Sequence, residues 1–320
     1  VRLIHVLFTG GTISMQFDAA AGGNVPVLGG EALMDLAPAA RAAAQVRVEN
    51  WARKPACHLT QADLFQLRAR VREVSEDPAV DGIVITHGTD TLEETAYLLD
   101  RTLALRVPVV VTGAMRTSDA PDWDGTRNLT DAIRVAVEPA CRGRGVFVLF
   151  SGTIWNGMDI VKTHTLAIDA FFAPHGKAIG KVHENGIGLS PARPRPAPLS
   201  LASLDSRIAL VPMAVGDDGR ALDASRAGHD GVVIEAFGSG NVPPGAMPAL
   251  QQWLNDGKPV VLASRCPMGS VTPVYGFEGG GARTVALGAV PAGPRTASQA
   301  RWELTIAHSA GVPYASGLSG

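Results

Sequence analysis

Two threonine-bearing segments hold the residue types best suited to chemistry in this chain: Thr9-Gly10-Gly11-Thr12-Ile13-Ser14 and His87-Gly88-Thr89-Asp90-Thr91-Leu92-Glu93-Glu94-Thr95. Each follows a short apolar run, so each falls where a buried strand ends, the position at which open α/β sheets carry their ligands. Glycine lets the backbone approach a small molecule and accepts positive φ, while a flanking threonine offers a hydroxyl that serves as donor or nucleophile. Two hydroxyls converging on one atom suit attack on an acyl carbon, which makes an acyl-transfer enzyme, or polar binding alone, which makes a small-ligand receptor. Thr9-Gly-Gly-Thr12 lacks the GxGxxG spacing and the Walker lysine of nucleotide loops. His87 follows a buried run without a partner at metal spacing and reads as structural.

The elements that must position these segments follow from periodicity. Val1 to Phe8 is a nearly continuous apolar run, which predicts a buried parallel strand. Ser14 to Gly30, glycine-rich and aperiodic, reads as a mobile loop over the end of that strand. Val46 to Asn50 predicts a second strand. Thr60, with Asp63 three residues on, resembles a cap for a helix whose Leu64, Leu67, Val71 and Val74 share one face. That helix leads into a strand over Ile83 to Thr86. The spacing Leu92, Ala96, Leu99, Leu103 is helical, so Thr89 and Asp90 stand at a helix N-terminus, with Glu93 and Glu94 in the first turn where the dipole favours acids. Unpaired N–H groups there can hold a negative oxygen.

Strands over Pro108 to Thr112 and Gly145 to Phe150, with a helix from about Asn128 to Val137 between them, continue the rhythm. The fold class is α/β: a larger N-terminal, doubly wound, mostly parallel sheet domain over 1–189 and a smaller C-terminal α/β domain over 208–320. Between them, 190–207 opens with four prolines in ten residues and reads as an extended linker. In the second domain, strands over Ile208 to Pro212, Gly231 to Ala236 and Pro259 to Ala263 alternate with helices in Ala246 to Asn255 and Ala297 to His308.

Composition narrows the partner. The 320 residues are 46% hydrophobic and 18% charged with a net charge of −2, which leaves no basic field for nucleic acid or an anionic membrane. Apolar runs are strand-sized and far short of a membrane span. A small, near-neutral molecule is the expected partner. Cys57, Cys141 and Cys266 are too scattered for a zinc or redox motif and read as reduced thiols of a cytoplasmic protein, Cys57 as a small buried hydrophobe. A signal peptide removed ahead of Val1 is left open by the sequence.

Taken together, the two segments and several others resemble the bacterial-type L-asparaginase family, amidohydrolases that release ammonia from asparagine and, less readily, glutamine. The resemblance extends through Val111-Thr-Gly-Ala-Met-Arg116, Asp124-Gly-Thr-Arg-Asn-Leu129, Lys162-Thr163, Gly238-Ser-Gly-Asn241 and Ser264-Arg-Cys-Pro-Met-Gly269, and so covers nearly the whole chain. It implies that Thr12 attacks the side-chain amide carbon to form an acyl-enzyme that water then hydrolyses. Thr89, Lys162 and Asp90 would form a Thr-Lys-Asp proton relay. Backbone groups at Gly11 and Gly88, beside the two threonines, would approach substrate and supply the oxyanion hole. Asp90 would also contact the substrate's α-ammonium, and the carbonyl of Ala114 would lie near the leaving amide nitrogen. Asn241 would reach into a neighbouring subunit's site in a homodimer or homotetramer. No metal and no organic cofactor is implied.

Some positions depart from the family. Asn24 stands where the family has a loop tyrosine that polarises the first threonine, and Ser14 to Gly30 contains no tyrosine. The mechanism is then led by Thr89, or helped by another phenol such as Tyr275, or activity is lost. Ala56 and Cys57, followed by His58, replace the serine and polar residue that hold the α-carboxylate, so backbone N–H groups or His58 would bind it. The family's acid in the second domain aligns with Tyr275 or Gly276, with Glu278 nearby. Three functions stay open: hydrolysis of asparagine, amide hydrolysis of another substrate (glutamine, a peptide-linked amide or a D-amino acid), or amino-acid sensing without turnover.

Overall fold

The computed structural model describes residues 2–315. Val1, at the head of the expected first strand, and 316–320, at the end of the expected second domain, lie outside the described residues. The chain divides into two compact units, 1–198 and 199–320.

In the first unit, the central strands are β1 (Leu3–Phe8), β4 (Gln45–Asn50), β5 (Gly82–Thr86), β6 (Val109–Thr112) and β7 (Val146–Phe150), with β2 (Met15–Asp18) and β3 (Gly23–Pro26) forming a separate hairpin. Strands β8 (Thr153–Asn156), β11 (Gly180–His183) and β12 (Gly186–Leu189) extend the sheet, while β9 (Val161–Lys162) pairs only with β10 (Phe171–Phe172). The eight-stranded order is β12-β11-β8-β7-β6-β5-β1-β4. From β4 to β7 every pairing is parallel, and from β7 to β12 it is antiparallel. Ser151 and Gly152, at φ 49° and 72°, make the two-residue turn that reverses β7 into β8.

The uninterrupted apolar runs of β5, β6 and β7 are explained by cover on both faces. Ile4, Val6, Val84, Val110 and Phe147 face α1 (Gly30–Asp35), α2 (Pro38–Ala43) and α5 (Gly125–Val137) through Leu33, Met34, Ala40, Leu129 and Ile133. Leu7, Ile83, Ile85, Val109 and Val148 face α3 (Gln61–Glu76) and α4 (Leu92–Thr102) through Leu67, Val71, Leu92 and Leu99. Thr60 and Asp63 close the expected capping box at the start of α3.

Two local expectations change. Ser14 to Gly30 is not an aperiodic loop: β2 and β3 pair from Met15↔Pro26 to Asp18↔Gly23, with Gly22 at φ 67° in the turn. Neighbouring chain holds this hairpin, since Phe17 N–H donates to Asp119 and Ser118 N–H to Met15 O. Helix α5 begins at Gly125, three residues before the expected start. Segment 190–207 carries neither helix nor strand. Its first part is tied to the first unit, where Arg195 pairs with Asp100 and Arg101 donates to Ala197 O at 2.7 Å.

The second unit has a four-stranded parallel sheet of β13 (Ile208–Pro212), β14 (Gly231–Ala236), β15 (Val260–Ser264) and β16 (Val290–Pro291), in sequential order. One face packs on α6 (Arg220–Arg226) and α7 (Met247–Asn255) through Leu222, Leu250 and Trp253. A short helix α8 (Gly281–Ala286) precedes β16, and α9 (Ala297–Ser309) covers the other face through Ala300 and Leu304. No helix among the described residues is long and apolar enough to cross a membrane.

Candidate active site

The order of the large sheet fixes where a crevice opens. From β1 the chain leads to β4 on one side; from β5 it leads to β6 on the other, so β1 and β5 are neighbours whose connections diverge. Such a switch point leaves a gap at the carboxyl ends of the strands. Thr9-Gly-Gly-Thr12 follows β1 and His87-Gly-Thr-Asp90 follows β5, so both segments meet there.

Their approach is as close as backbone allows. A β-carbon built on Gly11 would lie 2.4 Å from the Cα and N of Gly88, and one built on Gly88 would lie 2.7 Å from the β-carbon of Ala56. Gly11 has φ 89° and ψ −179°, a conformation that L side chains rarely adopt, and it caps a single 3₁₀ turn over Thr12–Ser14. Ser14 closes that turn, donating both its N–H and its hydroxyl to Gly11 O.

Hydrogen bonding separates the threonines. Thr9 donates its hydroxyl to Thr86 O at 2.9 Å and so stitches the ends of β1 and β5 together. Thr91 donates to Ala56 O at 3.2 Å, which seats the 56–58 turn on the start of α4. Thr95 donates to His87 Nε2 at 2.9 Å, while His87 Nδ1 donates to Gly88 O at 2.8 Å. Burial lowers the His87 pKa to about 4, so the ring is a neutral brace between β5 and α4, the structural part expected of it. Thr89, 5% exposed, accepts instead from Lys162 Nζ at 2.8 Å. The same ammonium donates to Asp90 Oδ1 at 2.9 Å. A hydroxyl, an ammonium and a carboxylate are thus joined in one chain of hydrogen bonds, with the carboxylate on the solvent side at 65% exposure.

Lys162 is held at both ends. Its backbone N–H donates to the carboxylate of Glu93, in the first turn of α4. Burial pushes the Glu93 carboxyl up to about 7, with Glu94 adding to the effect and Lys162 opposing it. Asp90, Glu93, Lys162, Thr163, His164 and Thr165 line an open groove of about 400 Å³.

Ala114 is fully buried in the loop after β6. Asp124 accepts the N–H groups of Met115 and Arg116, and Asn128 donates to Gly113 O at 3.0 Å. The sequence signal for these two tethers is the motif Asp124-Gly-Thr-Arg-Asn128, whose polar ends lie one helical turn apart.

The remaining expected residues fall as follows. Ala56 is buried against Gly88, whereas Cys57 is exposed and not the buried hydrophobe expected, because the 3₁₀ turn over Ala56–His58 rotates only Ala56 inward. His58 is exposed beside it. Asn24 is exposed on β3, opposite Phe17. Asn241 and Tyr275 belong to the second unit. The Asn241 side chain accepts Gly281 N–H at 3.1 Å and caps α8, while Tyr275 is exposed with its ring 5.4 Å from that of Phe277. Among the described residues no three His, Cys, Asp or Glu side chains gather as a metal site requires.

These features define an α/β protein with a hydroxyl–ammonium–carboxylate cluster at a switch point. Residues 3–195 match the model of the asparaginase N-terminal domain and 207–315 that of the glutaminase/asparaginase C-terminal domain; the chain belongs to the asparaginase family. It is 40% identical over 256 residues to a probable L-asparaginase of Deinococcus radiodurans, covering 79% of this chain and 78% of that one. Against L-asparaginase 2 of Escherichia coli it is 33% identical over 294 residues, covering 87% and 84%. A crystal structure of a probable cytoplasmic L-asparaginase from Campylobacter jejuni superposes with a TM-score of 0.86 at 28% identity, covering 97% of this chain and 95% of that one.

Proposed function

We propose that the protein hydrolyses the side-chain amide of L-asparagine to aspartate and ammonia through a threonyl ester. The observation that carries this reading is the Lys162 ammonium bridging Thr89 Oγ1 and Asp90 Oδ1, beside a contact between Gly11 and Gly88, the residues that precede Thr12 and Thr89. Relatives named L-asparaginase and L-asparaginase 2 support the choice of substrate.

In this mechanism the Lys162 ammonium gives a proton to Asp90, and as Thr12 Oγ attacks the amide carbon its proton passes through the Thr89 hydroxyl to the Lys162 amine so formed. The C–N bond breaks, the nitrogen takes that proton, and ammonia leaves. Water then attacks the ester, with the relay taking its proton and Thr12 recovering its own. Backbone N–H groups beside Thr12 and Thr89 hold the oxyanion; loss of one such donor costs on the order of 10²–10³ in rate. Ala114 positions the amide nitrogen, Asp90 the α-ammonium, and His58 or backbone N–H groups near Ala56 and Cys57 the α-carboxylate. With Asn24 in place of a tyrosine, the activation of Thr12 falls to the Thr89 relay. The working form is a homodimer or homotetramer, and the three free thiols suit a cytoplasmic setting.

The test is ammonia release from asparagine by the wild type, Thr12→Val, Thr89→Val and Lys162→Met. Each variant is expected to lose at least about 10²-fold in kcat. Wild-type rates in both threonine variants would end the reading. Glutamine in the same assay addresses a second reading, favoured by the 33% identity over 281 residues to the glutaminase-asparaginase of Pseudomonas fluorescens.

A further inference from the structure

Lys162 is held by surprisingly little of the sheet. It sits in a two-residue strand paired only with Phe171–Phe172, and a ladder of that length does not by itself fix a long side chain. Packing of Phe171 on Phe150, with ring centroids 4.4 Å apart, anchors the far strand of the pair. Thr163, next to Lys162, donates its N–H and its hydroxyl to Ala170 O at 2.7 and 3.1 Å, and the Lys162 backbone N–H itself donates to Glu93. Glu93 lies four residues after Thr89 and three after Asp90, so the start of α4 grips Lys162 twice: Glu93 takes the backbone, and Thr89 with Asp90 takes the ammonium.

Resting on the amidohydrolase reading above, we propose that Glu93 is a positioning residue for the reaction, setting the register of Lys162 against Thr89 and, through its own charge, the pH dependence of turnover. An ionised carboxylate accepts the N–H more strongly than a protonated one. Its burial gives Glu93 a midpoint of about 7, so this grip weakens as pH falls through neutrality. The titratable groups facing it are Lys162 from β9, Asp90 ahead of α4, Glu94 beside it on α4, and His164 across the groove. Of these, Lys162 favours the ionised form of Glu93 and Glu94 opposes it. Glu93 touches no reacting atom; it acts through Lys162.

The test compares kcat, KM and pH profiles of the wild type, Glu93→Gln and Glu93→Ala for ammonia release from asparagine, with Thr89→Val as reference. A misplacement of about 1 Å costs about 10²-fold in rate, which is the loss expected for Glu93→Ala, with KM within about threefold. Glu93→Gln keeps an acceptor oxygen and should recover about tenfold of that loss. It should also lack the limb near pH 7 on which wild-type kcat rises with pH. A wild-type profile without that limb, or a Glu93→Gln profile that retains it, overturns the proposal, as does full activity in Glu93→Ala. Those outcomes with an inactive Thr89→Val leave the amidohydrolase reading standing, whereas an active Thr89→Val removes that reading itself.

Discussion

Gly11 and Gly88 touch backbone to backbone, so closely that a single methyl group on either has no room. Strands β1 and β5 run parallel in register up to Phe8↔Thr86, and Thr9 locks their ends, so the two loops leave the sheet side by side. The residues that follow each glycine, Thr12 and Thr89, leave the sheet from this contact.

Gly11→Ala therefore tests the crevice as a whole. Its methyl meets Gly88 at 2.4 Å and its φ of 89° opposes a side chain. Strain of about 1–3 kcal/mol and overpacking of similar size are expected in a denaturant midpoint, together with loss of ammonia release where the variant is still folded. Gly22→Ala is the control: φ is 67° with nothing within 4 Å, so about 1 kcal/mol of strain and unchanged kinetics are expected. Equal behaviour of the two variants would refute the account.

Asp124 holds the loop of Ala114 through two backbone N–H groups and the amide of Asn128. Asp124→Ala leaves those donors without their acceptor, at a cost of about 1–3 kcal/mol, and frees the Ala114 carbonyl to shift. Steady-state kinetics should give a kcat reduced about 10-fold or more with the protein still folded at 25 °C. Unaltered kinetics would mean that loop 113–116 keeps its place without this tether.

Asp100 and Arg195 predict a pH-dependent stability. Burial raises the Asp100 carboxyl to about 6, outweighing the lowering influence of Arg195 and of the bond from Val146 N–H. A carboxyl whose folded value exceeds its unfolded one favours the native state fully at low pH and loses that contribution as pH rises through about 6. Arg195→Leu removes the guanidinium that offsets the Asp100 charge, so the loss grows with ionisation. Urea unfolding should show a deficit of about 3 kcal/mol or more at pH 8 and a smaller one at pH 5. An equal deficit at both would contradict this, and proteolysis within 190–198 should rise alongside the pH 8 deficit.

Much of the large sheet can be read from the chain because β5, β6 and β7 are short, apolar and bounded by glycine or proline, which buried parallel strands require. Thr60 and Asp63 announced α3 through chemistry local to one turn. The β2–β3 hairpin was missed because alternation lasts only four residues on each side of an alanine-glycine turn. Strands β9 and β10 leave no local pattern, since Phe171 is placed by Phe150, distant in sequence. For the same reason Val161-Lys162-Thr163-His164 carries no signal of its own, and only the family resemblance points to Lys162. Helix α5 starts at Gly125, ahead of the expected Asn128, with Asp124 at its N-cap position and its carboxylate turned to Met115 and Arg116. That Thr89 bonds to Lys162 while Thr9, Thr91 and Thr95 bond to carbonyls or to a histidine ring also lies beyond sequence, since the four look alike until their partners are seen.

The divergence of the connections from β1 and β5 separates two tasks. Helices α1 and α2, following β1, cover one face, while α4, following β5, covers the opposite face. Neither return path bridges the gap, so the floor is laid by strand register and the walls by two independent stretches of chain. Insertions or deletions in the β2–β3 hairpin can accordingly reshape the mouth for a different guest without re-pairing a single strand beneath it.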